Sequence, residues 1–336
     1  SSVILGSRFA FSQGITLMEG SALNLNGKSH SSDVTLKGSA TISGGTLNAG
    51  VSVGGGKTLT LGGNLSGTEA VTLGDSAVLA LGGHTLSKAV ALEGSATIGG
   101  GTLDGNVAVQ NASGRLALQG VTIGDHATFT MANEAELDLG GAQAWLGSFS
   151  ATGQYATVDN GSLCVAEGMA ALLGGNLGGS ATVSLGEAAA LDLNGHTLGN
   201  TVNMAGSSAT IGGGTLGKAL TVGGGKTLVL GSALEAKGGI SLAAGATLDL
   251  GGCALSGNIA VAADLITTKP TIIGGGSVDG DITLASTNQE YCSARLTLSD
   301  SLNGTGTIYL GNKSELNLNG HAVGMDAATA GNNTKI

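Results

Sequence analysis

Twice the chain reads glycine-glycine-glycine-lysine-threonine, at Gly54-Gly55-Gly56-Lys57-Thr58 and at Gly223-Gly224-Gly225-Lys226-Thr227. Lysine behind glycine is what a phosphate-cradling loop uses, with backbone N–H groups facing the anion and the ammonium balancing its charge. That loop needs an earlier glycine, at the places taken here by Val51 and Leu220. A third corner of the same kind carries Gly114-Arg115. The expected role is therefore a solvated basic residue at a turn. Gly74-Asp75-Ser76 has the surroundings of a nucleophilic serine, but the matching corners read Glu19-Gly20-Ser21 and Glu187-Ala188-Ala189. An activated serine needs a base in reach, and no histidine recurs beside these corners. They read as turns, and no catalytic residue is assigned.

Metal chemistry fares similarly. His84, His196 and His321 recur at one place in a long repeat, where Cys253, Lys28 and Ala142 take the other copies. Equivalent places lie three turns apart, about 14 Å at ~4.8 Å per turn, too far to share one ion. Asp138, Asp192 and Asp249, with Asn24 and Asn317, form a second outward row, too sparse for a calcium ladder, and the GGxGxD calcium repeats are missing. Cys164, Cys253 and Cys292 are too few and too far apart for a disulfide framework or paired zinc ligands. Buried or free thiols are expected; a Cys253–Cys292 bridge would require the loop carrying Cys292 to fold back. Neither metal nor cofactor is assigned.

The elements that must position these residues come from a repeat. The thirteen-residue pattern ITLMEGSALNLNG from Ile15 returns from Val71, Phe129, Val183, Ile240 and Ile308. Between these copies the apolar-x-apolar signature recurs near Val34, Val51, Val90, Val107, Phe149, Val165, Val202, Leu220, Ile259 and Ile282. Each long repeat is thus three short ones of about 19 to 20 residues, which suits one turn of a three-sided parallel β-helix. Alternation has period two: Val71 and Leu73 point inward around Thr72, and Leu79 and Leu81 around Ala80. Glycine corners such as Gly99-Gly100-Gly101 and Gly212-Gly213-Gly214 take backbone angles that other residues resist. The fold class expected is all-β, a right-handed parallel β-helix of about 16 rungs with a three-rung super-repeat. Residues 15–324 form one β-solenoid, with 1–14 and 325–336 as terminal cap or assembly segments.

Composition agrees. Glycine numbers 63 and proline 1, hydrophobic residues make up 41% and charged residues 11%, so there is apolar surface to bury and disorder is disfavoured. A net charge of −10 with only Arg8, Arg115 and Arg295 as arginines leaves no basic stripe for nucleic acid. No apolar run reaches the roughly 18 to 20 residues of a membrane-spanning helix, and the first residues lack a signal peptide's charged and apolar regions. The chain is expected to be soluble or the mature part of something longer.

The rhythm breaks at 142–179 around Trp145, at Thr267 to Pro270, and at Ser286 to Arg295, where loops are expected. Solenoids display their special surfaces on such insertions. The segment STNQEYCSAR is therefore the candidate contact loop, with Asn288, Glu290, Tyr291 and Arg295 as its contact residues.

Short VTL, ATI and LDLNGHTL units separated by GGG and GN corners resemble the right-handed β-helix passenger regions of bacterial autotransporter-type surface proteins and adhesins. The resemblance covers nearly the whole chain and implies export, an extracellular or bacterial cell-surface location, and a structural or adhesive role. A signal peptide and a membrane barrel, normal parts of that family, are not in this sequence. Neither is a protease-like serine motif. The resulting expectation is a non-enzymatic stalk, adhesin or fibre subunit that self-associates end-to-end or laterally and contacts host or matrix glycans or proteins. Two alternatives stay open. A β-helix polysaccharide lyase or hydrolase would cluster carboxylates, a basic partner and aromatic platforms, which the eight aromatic residues do not do. An ice binder would use the outward row Thr16, Thr35, Ser52, Thr72, Ala91, Ala108 and Thr130.

Overall fold

The computed structural model describes residues 2–5, 14–151, 155–265, 269–286, 290–329, 332 and 334–336. The protein is all-β, a solenoid of about 15 turns. Among the described residues the one helical element is a single 3₁₀ turn, Leu146–Ser148. All sixteen apolar-x-apolar starts fall on strands. The chain divides into two compact units, residues 1–163 with 175–181, and residues 164–174 with 182–336.

In the first unit one sheet stacks eight strands, from Ile15–Leu17 to Phe149–Ala151, every pair parallel. Register runs Ile15, Val34, Val51, Val71, Val90, Val107, Phe129, Phe149, so each apolar residue lies on the equivalent one a turn away. Two further parallel columns complete the turn, one through Leu23, Ile42 and Leu61, the other through His30 and Leu47. Val71, Leu73, Leu79 and Leu81 are fully buried, as the period-two reading requires. Phe129 and Phe149 stack with centroids 4.8 Å apart, one inter-turn spacing.

In the second unit eight parallel strands stack from Ala170–Leu172 to Glu315–Asn317. Ala190 pairs with Thr210, 20 residues on, whereas Leu248 pairs with Ile273 and Ile273 with Leu298, each 25 residues on. The extra length lies at one corner in two consecutive turns, residues 262–270 and 285–294. Neighbouring turns cross that corner with residues 243–246 and 311–314 alone.

Corners are set by local chemistry. At Leu25-Asn26-Gly27-Lys28 the Lys28 N–H donates to the Leu25 carbonyl at 2.8 Å, with φ of 50° at Asn26 and 68° at Gly27. Two successive positive φ values make this a type I′ turn, which asparagine-glycine favours. The same turn closes at Leu193-Asn194-Gly195-His196 and Leu250-Gly251-Gly252-Cys253. The glycine one turn later packs directly on it. A Cβ on Gly214 would lie 2.7 Å from the Leu193 Cβ, and one on Gly276 2.7 Å from the Leu250 Cβ. The third glycine of the GGG corners is therefore a close-approach position.

Candidate functional site

The recurrent rows resolve into these turns. Asp138, Asp192 and Asp249 each accept the N–H of the residue two positions on, at 2.8 to 2.9 Å, and Asn24 and Asn317 do the same at 2.8 and 3.0 Å. Such Asx contacts pre-form the corner. His84, His196 and His321 are the closing residues of the type I′ turns, their N–H groups donating to Leu81, Leu193 and Leu318. Among the described residues no three histidine, cysteine, aspartate or glutamate side chains gather as a metal site. Cys164, Cys253 and Cys292 are not joined to one another by a disulfide.

The serine-like and lysine-bearing corners have structural partners too. Glu19, Asp75 and Glu187 each accept the backbone N–H of a serine one turn later, Ser39, Ser95 and Ser207, at 2.7, 3.0 and 2.6 Å. Glu187 also accepts the Ser207 and Ser208 hydroxyls, and together these bonds hold its carboxyl down at about 2. Ser76 sits at φ 59° with its hydroxyl 3.2 Å from the Asp75 carboxylate. Lys226 donates to the carbonyls of Met204 and Ala205 in the preceding turn, and Arg115 pairs with Glu136 at 2.5 Å. The first-unit row Thr16, Thr35, Ser52, Thr72, Ala91, Ala108 and Thr130 lies in one register column, its hydroxyls interrupted by Ala91 and Ala108.

The two long corners behave differently. Asp264–Leu265 and Cys292–Ser293 pair antiparallel, Asp264 with Ser293 and Leu265 with Cys292, whereas the described ladders of the stack are parallel. Two breaks of rhythm that look independent in the sequence thus meet, because consecutive turns place them at the same corner. Backbone groups on an excursion from the stack need partners, and the neighbouring excursion supplies them. The segment expected as a loop at 286–295 therefore contains the strand Cys292–Ser293 and the start of Arg295–Leu298. Of the four predicted contact residues, Glu290, Tyr291 and Arg295 are placed, and Asn288 lies outside the described residues, as do Thr267 and Thr268 of the other insert.

Tyr291 is 69% exposed and Leu265 52%, so the pair presents apolar surface at its tip. Beside it opens a cleft of ≈ 340 Å³ lined by Glu290, Cys292, Arg295, Lys313, Glu315 and Lys335. The Ser293 hydroxyl donates to the Lys313 carbonyl at 2.6 Å, tying the insert to the next turn. Arg295 pairs in register with Glu315, and Glu315 with Lys335. Sequence reasoning found one side of this cleft. Lys313, Glu315 and Lys335 escaped it, although placing Glu315 one turn after Arg295 by the repeat period would have joined those two.

A wider groove of ≈ 770 Å³ in the second unit passes Thr227, Thr247, Asp249, Ser299, Asp300 and Asn303. Its two carboxylates are engaged locally, Asp249 by the Gly251 N–H at 2.9 Å and Asp300 by the Ser301 N–H at 2.6 Å. No helix among the described residues is long and apolar enough to cross a membrane. The chain matches no family model, no curated protein and no solved structure.

Proposed function

We propose that the protein is a non-enzymatic structural solenoid displayed outside the cell on a bacterial surface, an adhesin or stalk whose stacked turns hold the paired inserts as a contact surface. The observation that carries this reading is the antiparallel pairing of Asp264–Leu265 with Cys292–Ser293, set beside the parallel ladders of the described stack with Leu265 and Tyr291 exposed. Structural solenoids need little beyond stacking, so two neighbouring turns that both leave it at one corner mark where a partner is met. Glu19, Asp75, Glu187, Asp249 and Lys226 are engaged by turn backbone, which suits a scaffold. The small outward residues of the first-unit column suit lateral packing between copies, and self-association belongs to the same proposal.

The test trims residues 262–270 and 285–294 to the short crossings used at 243–246 and 311–314, with circular dichroism to verify the fold. Display on a bacterial host should then show adhesion to glycan- or protein-coated surfaces lost with the inserts. Adhesion that survives trimming refutes the contact assignment. Reducing-sugar release from any member of a polysaccharide panel refutes the non-enzymatic assignment.

A further inference from the structure

We propose that Asn319 is a site of spontaneous covalent modification, converting to aspartate and isoaspartate in the folded protein far faster than the matching asparagines of other corners. The reactants are the Gly320 backbone nitrogen and water. As that nitrogen loses its proton to solvent base, it bonds to the side-chain carbonyl carbon of Asn319. The carbon–nitrogen bond of the amide then breaks, and ammonia leaves with a proton taken from solvent. Water opens the resulting five-membered imide at either carbonyl, giving aspartate or a backbone routed through the side-chain carbon. Glycine in second place permits the approach because it has no side chain in the way.

Asparagine precedes glycine at 26, 160, 194, 303 and 319. Three of these pairs form the same corner: φ is 50° and 68° at Asn26-Gly27, 51° and 79° at Asn194-Gly195, and 52° and 82° at Asn319-Gly320. Each asparagine N–H donates to a side-chain oxygen two residues back, at 2.8, 2.8 and 3.0 Å. Each turn closes on its leucine carbonyl, through Lys28, His196 and His321 at 2.8, 2.8 and 2.9 Å. All six of these asparagines and glycines are exposed, and a Cβ on Gly27, Gly195 or Gly320 would meet nothing. Residue types, backbone angles and exposure therefore match at the three corners.

The attacking nitrogen does not match. Gly27 donates its N–H to the Gly44 carbonyl and Gly195 to the Gly213 carbonyl, each one turn on. Gly83, Gly141 and Gly252 bond in the same way to Gly100, Asn160 and Gly275. At such a corner the peptide must break a bond between turns and lift off the stack before its nitrogen can reach the side chain. Among the described residues the Gly320 N–H has no acceptor, so local rotation of one turn suffices. The Asn319 amide donates to the Leu298 carbonyl at 3.2 Å, at the long end of the range and on a rotatable side chain. The two remaining pairs are held differently. The Asn160 amide donates to the Asp138 carboxylate at 3.0 Å, and Gly304 lies within the strand Leu302–Leu310. Isoaspartate puts an extra carbon into the chain, which removes the type I′ geometry at Leu318–His321 and leaves the inner corners intact.

The full chain should be held at mildly alkaline pH and sampled over weeks, with peptide mapping by mass spectrometry and enzymatic isoaspartyl methylation. We expect the amide-to-acid mass gain at Asn319 to run roughly fivefold or more ahead of that at Asn26 and Asn194, the difference that one hydrogen bond between turns makes to local opening. In concentrated urea the three rates should converge. Asn319→Gly, which copies the Gly251-Gly252 corner, should keep the circular dichroism spectrum and lose the isoaspartate signal. Folded-state rates at Asn26 or Asn194 equal to or above that at Asn319 overturn the inference. So does a lead for Asn319 that persists undiminished in urea, or an isoaspartate signal unchanged in Asn319→Gly.

Discussion

Lys88 is among the largest fully buried side chains of the described residues, and its charge should be readable as a pH dependence of stability. Its ammonium donates to the carbonyls of Leu47 at 2.6 Å and Ala49 at 3.0 Å, two turns away, passing Gly67, where a Cβ would lie 3.1 Å from the nitrogen. Burial pushes its pKa down from the ordinary 10.5 to about 8, with Glu69 acting in the opposite direction. The folded value lies below the unfolded one, so between about pH 8 and 10.5 the unfolded chain holds more protons, and stability rises with pH across that window. Below pH 8 the contribution is flat. The full difference amounts to roughly 3 kcal/mol. Lys88→Met keeps most of the volume while removing the charge and its bonds to the carbonyls. At pH 7 the lost bonds and the relieved burial of charge oppose one another, and the net change should be within about 2 kcal/mol. Urea unfolding followed by circular dichroism, at steps from pH 7 to 10.5, gives the difference between the two proteins. Groups common to both cancel in that difference. It should move by roughly 3 kcal/mol in favour of the wild type as pH rises. Parallel profiles would refute the assignment of Lys88 as a charge held inside the stack.

Four further outcomes follow from the corners. Ala188 holds φ 52°, so Ala188→Gly should raise the stability of the second unit by about 1 kcal/mol in urea titrations. Gly225→Ala, at φ 75° with open space around the added methyl, should lower it by a similar ~1 kcal/mol. Gly214→Ala drives a Cβ to 2.4 Å from the His196 carbonyl oxygen and 2.7 Å from the Leu193 Cβ, and should cost about 1–3 kcal/mol by the same measurement. Glu187 is held down at about 2, so its contribution is complete above its ordinary 4.5 and fades as pH falls toward 2. Glu187→Gln should therefore flatten the melting-temperature profile across that acid range, and an unchanged slope would count against the bonds from Ser207 and Ser208.

The solenoid was legible in the residues alone because its core is built from short-range alternation repeated at one period. Val71 and Leu73 around Thr72 fix which face is inward, and the return of that pattern about every 19 to 20 residues fixes what stacks on what. Leucine-asparagine-glycine fixes the corner, since two adjacent positive φ values favour few residue pairs. Rejection of the phosphate loop and of the shared metal site also followed from sequence, because missing residues and three-turn separations are facts of spacing. Lys88 was not legible. It stands in HTLSKAVAL as an ordinary polar corner, and Lys218 takes a similar place in GTLGKALTV while remaining exposed. What separates them is the path left open past Gly67 to the carbonyls of Leu47 and Ala49. The contact site was half legible. Excess length marked the insert around Tyr291, but nothing local says that residues 262–270 lie at the same corner, or that Lys313 and Lys335 border Arg295. Those neighbours are set by stacking, which brings together residues some twenty positions apart. Sequence by itself determined the turn, its corners and its inward face; tertiary structure alone decided which side chains on different turns share one surface.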